Sequence, residues 1–100
     1  MQKKNYLVDI KLEDSFTSEF FSLIPRQRKL INDLMNEGII HSYSLAIDRS
    51  KLWIVMETEN ELEVMDALSR FPLIKFMQPE IIELAFHDSI HSGFPHLSLN

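Results

Sequence analysis

The sequence predicts an α+β fold of the ferredoxin-like kind, in which two helices cover one face of a four-stranded antiparallel sheet. Two periodicities support this prediction. Some stretches alternate apolar and polar residues, as strands do, and others repeat apolar residues every three or four positions, as helices do. In chain order these stretches are β-α-β-β-α-β, the split βαβ arrangement. The 100 residues suffice for one such domain, 1–100, and are too few for a second core.

The first strand is predicted over residues 6–13, where every second residue from Tyr6 to Leu12 is apolar. Residues 17–37 then show the helical period, and Gly38 marks the helix end because helix C-termini favour glycine. Pro25 lies inside this segment. Because an interior proline removes a backbone hydrogen bond, a regular helix is predicted only from Arg26, preceded by a short lead-in helix or kinked turn.

Residues 39–58 predict a hairpin whose tip is Arg49-Ser50. The helix-facing pairs are then Ile47–Leu52, Leu45–Ile54 and Tyr43–Met56, and His41 shares that side. The opposite face carries Ile40, Ser42, Ser44, Ala46, Trp53, Val55 and Glu57. Such a mixture is too apolar for a freely solvated surface and too polar for an ordinary core, so this face is the predicted location of the functional site.

The second helix is predicted after a capping box of Thr58 with Glu61, and Pro72 follows its end. The last strand is predicted over 80–87. Its core face would be Ile82, Leu84 and Phe86, and its other face Ile81, Glu83, Ala85 and His87. Residues 89–100 lack periodicity and predict an irregular C-terminal arm.

Composition narrows the function classes. The net charge of −5 offers no footprint for nucleic acid, and Arg26, Arg28 and Lys29 are typical of the solvated side of a helix. The absence of cysteine excludes disulfides and thiolate chemistry. No window approaches the roughly 20 apolar residues of a membrane span, and no signal peptide is recognisable, so a cytoplasmic protein without membrane contact is expected.

Eight residues are predicted to face a pocket on the non-helical side of the sheet: Asp9, Lys11, Ser42, Ser44, Trp53, Glu57, Glu83 and His87. A proton-transfer reaction needs a positioned base, for which Glu83 is the first candidate and His87 the second. The other six would contact the substrate. The alternative is that the charged residues form interface ion pairs, which also occur at protein surfaces. His87, His91 and His96 lack a spacing that defines a metal geometry, so no metal or cofactor is predicted.

An apolar patch on the same face lacks a covering layer within the chain. Its predicted members are Leu7, Ile40, Trp53, Val55 and Ile81. Because a contiguous patch of this kind is unusual on a monomer, a homodimer with sheet-to-sheet packing is expected.

Three runs of the sequence resemble the muconolactone isomerase-like family: residues 38–53 (GIIHSYSLAIDRSKLW), 71–73 (FPL) and 80–90 (EIIELAFHDSI). The resemblance implies a dimeric α+β barrel, in which two sheets enclose an internal pocket, and an assembly of dimers into a larger ring. It also implies a cofactor-free isomerase that shifts a proton in a small lactone or related acid. The alternative is a non-catalytic or regulatory barrel that binds a small molecule.

Overall fold

The computed structural model describes residues 2–89, which form four strands and three helical segments. In chain order these are β1 (Lys4–Leu12), α1 (Ser18–Asn36), β2 (Ile40–Leu45), β3 (Lys51–Thr58), α2 (Glu61–Ser69), the 3-10 helix α3 (Ile74–Phe76) and β4 (Met77–Leu84). The strands are antiparallel neighbours in the order β2-β3-β1-β4. The predicted ferredoxin-like arrangement is confirmed. The predicted C-terminal arm lies, from residue 90 onward, outside the described residues.

Strand β1 is central and carries the strictest alternation in the chain. Its residues Tyr6, Val8 and Ile10 are at most 2% exposed. They pack with apolar residues of both long helices in a single core cluster, so α1 and α2 cover the same side of the sheet. Alternation thus predicted the buried face of β1 correctly.

Helix α1 begins at a Thr17 cap, whose side-chain oxygen accepts a hydrogen bond from the Phe20 amide at 3.3 Å. It continues through Pro25 to Asn36, so the predicted interruption before Arg26 is wrong. Buried residues lie on both sides of the proline, including Phe20 and Ile31. Their packing against the sheet stabilises both halves of the helix and offsets the one hydrogen bond that proline removes.

Residues 42–45 of β2 and 52–57 of β3 keep their predicted faces, but the strands pair in a different register. Leu45 opposes Leu52 and Tyr43 opposes Ile54, a shift of two positions from the prediction. Because side chains alternate with period two, a shift of two leaves each residue on its expected face. Ile47 lies in the connecting loop and is fully exposed. Its exposure follows from the loop being longer than the two-residue tip that was predicted.

A second difference concerns the start of α2. Thr58 stays in β3, opposite Lys4, and Asn60 caps the helix by accepting from the Glu63 amide at 3.0 Å. Glu63 in turn accepts from the Glu59 amide. The capping residues therefore lie two positions later than predicted. None of the helices in the described part of the chain combines the length and apolar character that a membrane crossing requires.

Strand β4 directs toward the helices the set of side chains that was predicted to point away from them. Met77 is 7% exposed and opposes Leu12, so it enters the core at the start of the strand. Period two then directs Ile81, which opposes Val8, to the helices, and Ile82, which opposes Leu7, to the other side. The adjacent pair Ile81-Ile82 supplies an apolar residue to either face, which is why alternation alone selected the wrong one.

Gln27 of α1 is a buried polar residue that ties the helix to the segment after α2. It is 2% exposed, and its Oε1 accepts from the Leu73 amide at 3.2 Å. We predict that Gln27→Leu lowers the free energy of unfolding by about 1–3 kcal/mol, because the Leu73 N–H then lacks an acceptor while buried. Urea unfolding measures this change. The exposed Gln78→Leu is the matched control, and equal losses in both variants would contradict the prediction.

Candidate functional site

Within β1, β2 and β3, strand register determines the face of six of the eight predicted site residues, and all six lie on the sheet face away from the helices, called the open face below. Strand register places these residues there: Asp9, Lys11, Ser42, Ser44, Trp53 and Glu57. Asp9 opposes Trp53 on the neighbouring strand, and Trp53 opposes Ser44 on the next. Cross-strand partners share a face, so these six lie on the side of the sheet that alternation predicted, and their contact with a substrate stays a prediction.

A β-bulge at His41 changes the composition of the open face. Ile40 opposes Met56 and Ser42 opposes Val55, so one extra residue, His41, is inserted between two consecutive pairs. As a result Ile40 turns into the core, where it is 2% exposed, and His41 reaches the open face. The predicted faces of Ile40 and His41 are both wrong, because strict alternation does not anticipate an inserted residue.

The bulge brings His41 into contact with Glu57. The His41 Nε2 lies 2.8 Å from the Glu57 carboxylate, and the side chains are 27% and 35% exposed. His87 lies in the segment after β4, and the centre of its ring is 6.0 Å from the centre of the His41 ring. Asn5, beside Glu57 on β1, has a buried Oδ1 without a hydrogen-bond donor among residues 2–89. Two imidazoles, a carboxylate and an amide thus share one end of the open face.

The opposite end carries an ion pair. Lys51 Nζ lies 2.7 Å from the Asp9 carboxylate, and Lys11 directly opposes Lys51. The carboxylate offsets the repulsion between two lysines on adjacent strands. Asp9 therefore pairs with Lys51 of β3. Glu57 lies six positions after Lys51 along β3, or roughly 20 Å at the rise of an extended strand.

The middle of the open face is apolar. Trp53 is 37% exposed and Ile82 39% exposed, and Val55, at 8%, is almost covered. Leu7 and Leu84 lie on the same face by register. The apolar patch thus exists, with Ile82 and Leu84 in place of the predicted Ile40 and Ile81.

Glu83 is on the wrong face for its predicted role. It opposes Tyr6, whose side chain is in the core, so Glu83 lies on the helix side of the sheet. There its carboxylate is 3.8 Å from Lys4 Nζ, and both side chains are more than half exposed. Glu83 and His87 border a common hollow at the sheet edge, although their side chains belong to opposite faces. The cause is the reversed face of β4.

The helix side of the sheet has a concavity of its own, the helix-side cleft, between α1 and the end of the β2–β3 hairpin. Its volume is about 400 Å³. The walls are mostly apolar and include Ile24, Ile31, Met35, Leu45 and Leu52, and the polar lining residues are Gln27, Arg28, Asn32, Tyr43 and Arg49. Leu45 has the predicted face but is 47% exposed, because it borders this cleft.

Tyr43 is the titratable group of the cleft with a shifted pKa. Burial of the phenol raises the pKa above its ordinary value, and the hydrogen bond from Gln27 and the charge of Arg28 oppose this shift. Gln27 Nε2 lies 3.5 Å from the Tyr43 hydroxyl. Tyr43 therefore remains a neutral hydrogen-bond donor well above neutral pH.

Among residues 2–89 no three histidine, aspartate or glutamate side chains are grouped in a way that would hold a metal ion. The contacts among His41, Glu57 and His87 were not predicted, although Glu57 and His87 were both among the predicted site residues. The signal that could have indicated the bulge is the run Ile39-Ile40 before a polar residue, which fits no strict alternation.

The elements described above form a ferredoxin-like α+β domain with one sheet face of mixed polar and apolar character and one mostly apolar cleft on the helix side. The family model for muconolactone delta-isomerase matches residues 5–90, which include both long helices and, apart from Lys4, all four strands. The chain therefore belongs to the muconolactone delta-isomerase family, as the sequence resemblance indicated. No individual curated protein matches it.

The raised pKa of Tyr43 predicts a specific dependence on alkaline pH. Because the folded protein holds the phenol proton more tightly than the unfolded chain, the stabilisation is complete below pH about 10 and is lost as pH rises beyond it. In Tyr43→Phe, the part of the alkaline loss of folding stability that comes from Tyr43 should be absent. Urea unfolding at increasing pH, together with tyrosinate absorbance, measures both effects. Tyr6 is the other tyrosine and remains as the internal control. An unchanged alkaline profile in the variant would contradict the assignment.

Proposed function

We propose that the protein is a cofactor-free isomerase that moves a proton within a small lactone or related acid, on the open face of its sheet. The observation that carries the proposal is the His41–Glu57 pair, a hydrogen-bonded imidazole and carboxylate at 2.8 Å on a partly apolar surface. Membership of the muconolactone delta-isomerase family supports the reaction type. Fold alone would not, since one fold serves many reactions.

The pair has the properties of a proton carrier. With Glu57 ionised, its hydrogen bond holds a proton on His41 Nε2 and leaves Nδ1 with a lone pair for the substrate. Nδ1 accepts a proton from a carbon activated by the lactone carbonyl, and the electrons of the broken C–H bond enter the conjugated system as an enolate. The imidazolium then returns the proton to another carbon of that system. Substrate atoms and electrons are conserved, so no co-reactant is needed.

Distance from the His41–Glu57 pair along the strands decides which of the predicted residues the proposal includes in the site. A small lactone spans only a fraction of the roughly 20 Å between Lys51 and Glu57 along β3. In the proposal Ser42, next to His41, donates a hydrogen bond to the enolate oxygen. Trp53 and Ser44, which share a cross-strand row with Asp9, form the apolar and polar lining toward the middle of the face, and His87 closes the end that carries the pair. The Asp9 carboxylate is paired with Lys51, so Asp9 and Lys11 act in the proposal only as part of the surrounding interface.

The proposal includes a second copy of the chain. The open face has no helix layer, and Trp53 and Ile82 remain more than one-third exposed on it. A second open face would cover this apolar area, remove water from the His41–Glu57 pair and strengthen its electrostatic interactions with a bound substrate. The enclosed volume would then be the intersubunit pocket that the family resemblance implies.

Substitution of the pair tests the chemistry, with muconolactone as the probe. We predict that Glu57→Gln and His41→Asn each lower the rate by about two to four orders of magnitude, the range for loss of a positioned general base. Solvent deuterium incorporation into the probe gives a second readout of the same proton transfer. Glu83→Gln is the matched control, since it is the same change on the other face of the sheet.

Retained turnover in Glu57→Gln, or an equal loss in Glu83→Gln, would contradict the role of the pair. Absence of turnover in the wild-type chain with muconolactone and related lactones would favour the non-catalytic binding alternative.

Charge introduced into the apolar part of the open face tests the second copy. We predict that Trp53→Asp yields a folded monomer, because a partly exposed residue tolerates a charge in the free chain but not at an enclosed interface. Light scattering measures the mass, and circular dichroism checks the fold. Ile47→Asp, in the fully exposed loop, should leave the assembly unchanged. A monomeric wild-type chain at micromolar concentration would refute the dimer.

A further inference from the structure

The helix-side cleft is separated from the open face by the sheet itself. Alternation in β2 shows the separation: Ser42 and Ser44 are on the open face, whereas Tyr43 and Leu45 line the cleft. A volume of about 400 Å³ with mostly apolar walls lies in the range of small-molecule sites. The cleft is therefore a second candidate site, independent of the isomerase chemistry proposed for the open face.

The charge of the cleft is opposite to that of the chain. The described lining residues include two arginines, Arg28 and Arg49, and no carboxylate, although the whole sequence has a net charge of −5. Such a local reversal favours an anionic ligand, because guanidinium groups bind carboxylates with charge-assisted hydrogen bonds.

Arg49 is held in place before any ligand binds. Its backbone has a φ of 63°, and its carbonyl accepts a hydrogen bond from the Ser15 hydroxyl at 3.2 Å. The guanidinium carbon lies 5.3–5.8 Å from the ring centres of Phe16, Phe20 and Phe21. These cation–π contacts restrict the side chain, so little conformational entropy remains to be lost on binding.

Arg49 also has an unused donor. Its Nε is buried without a hydrogen-bond acceptor among residues 2–89. A buried guanidinium N–H without an acceptor is unfavourable, and an anionic oxygen in the cleft would relieve this cost.

Tyr43 supplies a neutral hydrogen-bond donor to the cleft. Gln27 Oε1 accepts from the Leu73 amide, so the other half of the side-chain amide, Nε2, is the part that faces the Tyr43 hydroxyl. The hydroxyl oxygen of Tyr43 accepts from Gln27, so the hydroxyl proton is available to donate to a ligand. The charge of Arg28, another lining residue, acts on the same phenol.

We propose that the helix-side cleft binds a small organic carboxylate with an apolar body. The carboxylate is held by Arg28 and Arg49 and by the Tyr43 hydroxyl. The apolar body packs against the aliphatic walls formed by α1 and the hairpin.

Titration of the full-length chain with benzoate, phenylacetate and hexanoate, followed by amide chemical shifts, tests this site. We expect saturable shifts at residues around Arg28 and Tyr43 and weaker binding of phenylacetamide, the neutral analogue. Arg28→Gln should weaken phenylacetate binding by about tenfold or more, as for a lost charge-assisted hydrogen bond. Arg28 is exposed on α1, so this substitution is compatible with folding.

Lys29→Gln is the matched control. It removes the same charge from the next helix position, where Lys29 pairs with Asp33 and does not line the cleft. His41→Asn should bind phenylacetate like the wild type, which separates this site from the isomerase proposal. Three results would overturn the inference: no saturation with any of the carboxylates at millimolar concentration, equal affinity for phenylacetamide, or equal loss in Arg28→Gln and Lys29→Gln.

Discussion

The pairing of β1 with both β3 and β4 is the constraint on which the remaining structure depends. Its alternating residues Tyr6, Val8 and Ile10 are buried under the helices, and each hydrogen-bonded neighbour must match that alternation. A one-residue slip would move every apolar side chain of the slipped strand to the other face, at a cost of several buried side chains. The core therefore determines which residues are left for the open face.

Within that constraint, the bulge in β2 gives the open face its imidazole–carboxylate pair. Had β2 paired without it, His41 would lie under the helices and Ile40 would lie opposite the polar end of β3. The inserted residue reverses the faces of both side chains: Ile40 is buried under the helices, and the His41 imidazole contacts Glu57 on the open face. Bulges commonly redirect a side chain at functional sites, and this one joins two residues 16 positions apart in the chain.

Strand β2 contributes to both candidate sites because its alternate residues lie on the open face and in the helix-side cleft. The open face is polar at both ends, with an imidazole–carboxylate pair at one and a lysine–aspartate pair at the other. The helix-side cleft is mostly apolar, with two arginines among its lining residues. The first arrangement suits proton transfer and the second suits binding of an anion without chemistry, since the described lining of the cleft contains no base that is available at neutral pH.

The sequence by itself determined the element order, the buried face of β1 and the faces of the β2–β3 hairpin from Ser42 to Glu57, because period-two alternation persists even when the register shifts by two. It also indicated the family through three short runs. Tertiary structure alone decided the faces of Ile40, His41 and Glu83. An inserted residue and a pair of adjacent isoleucines are each compatible with either face locally, and only the packing of Ile40 and of Met77 into the shared core selects one. The contact between His41 and Glu57 follows from that selection and has no local signature in the chain.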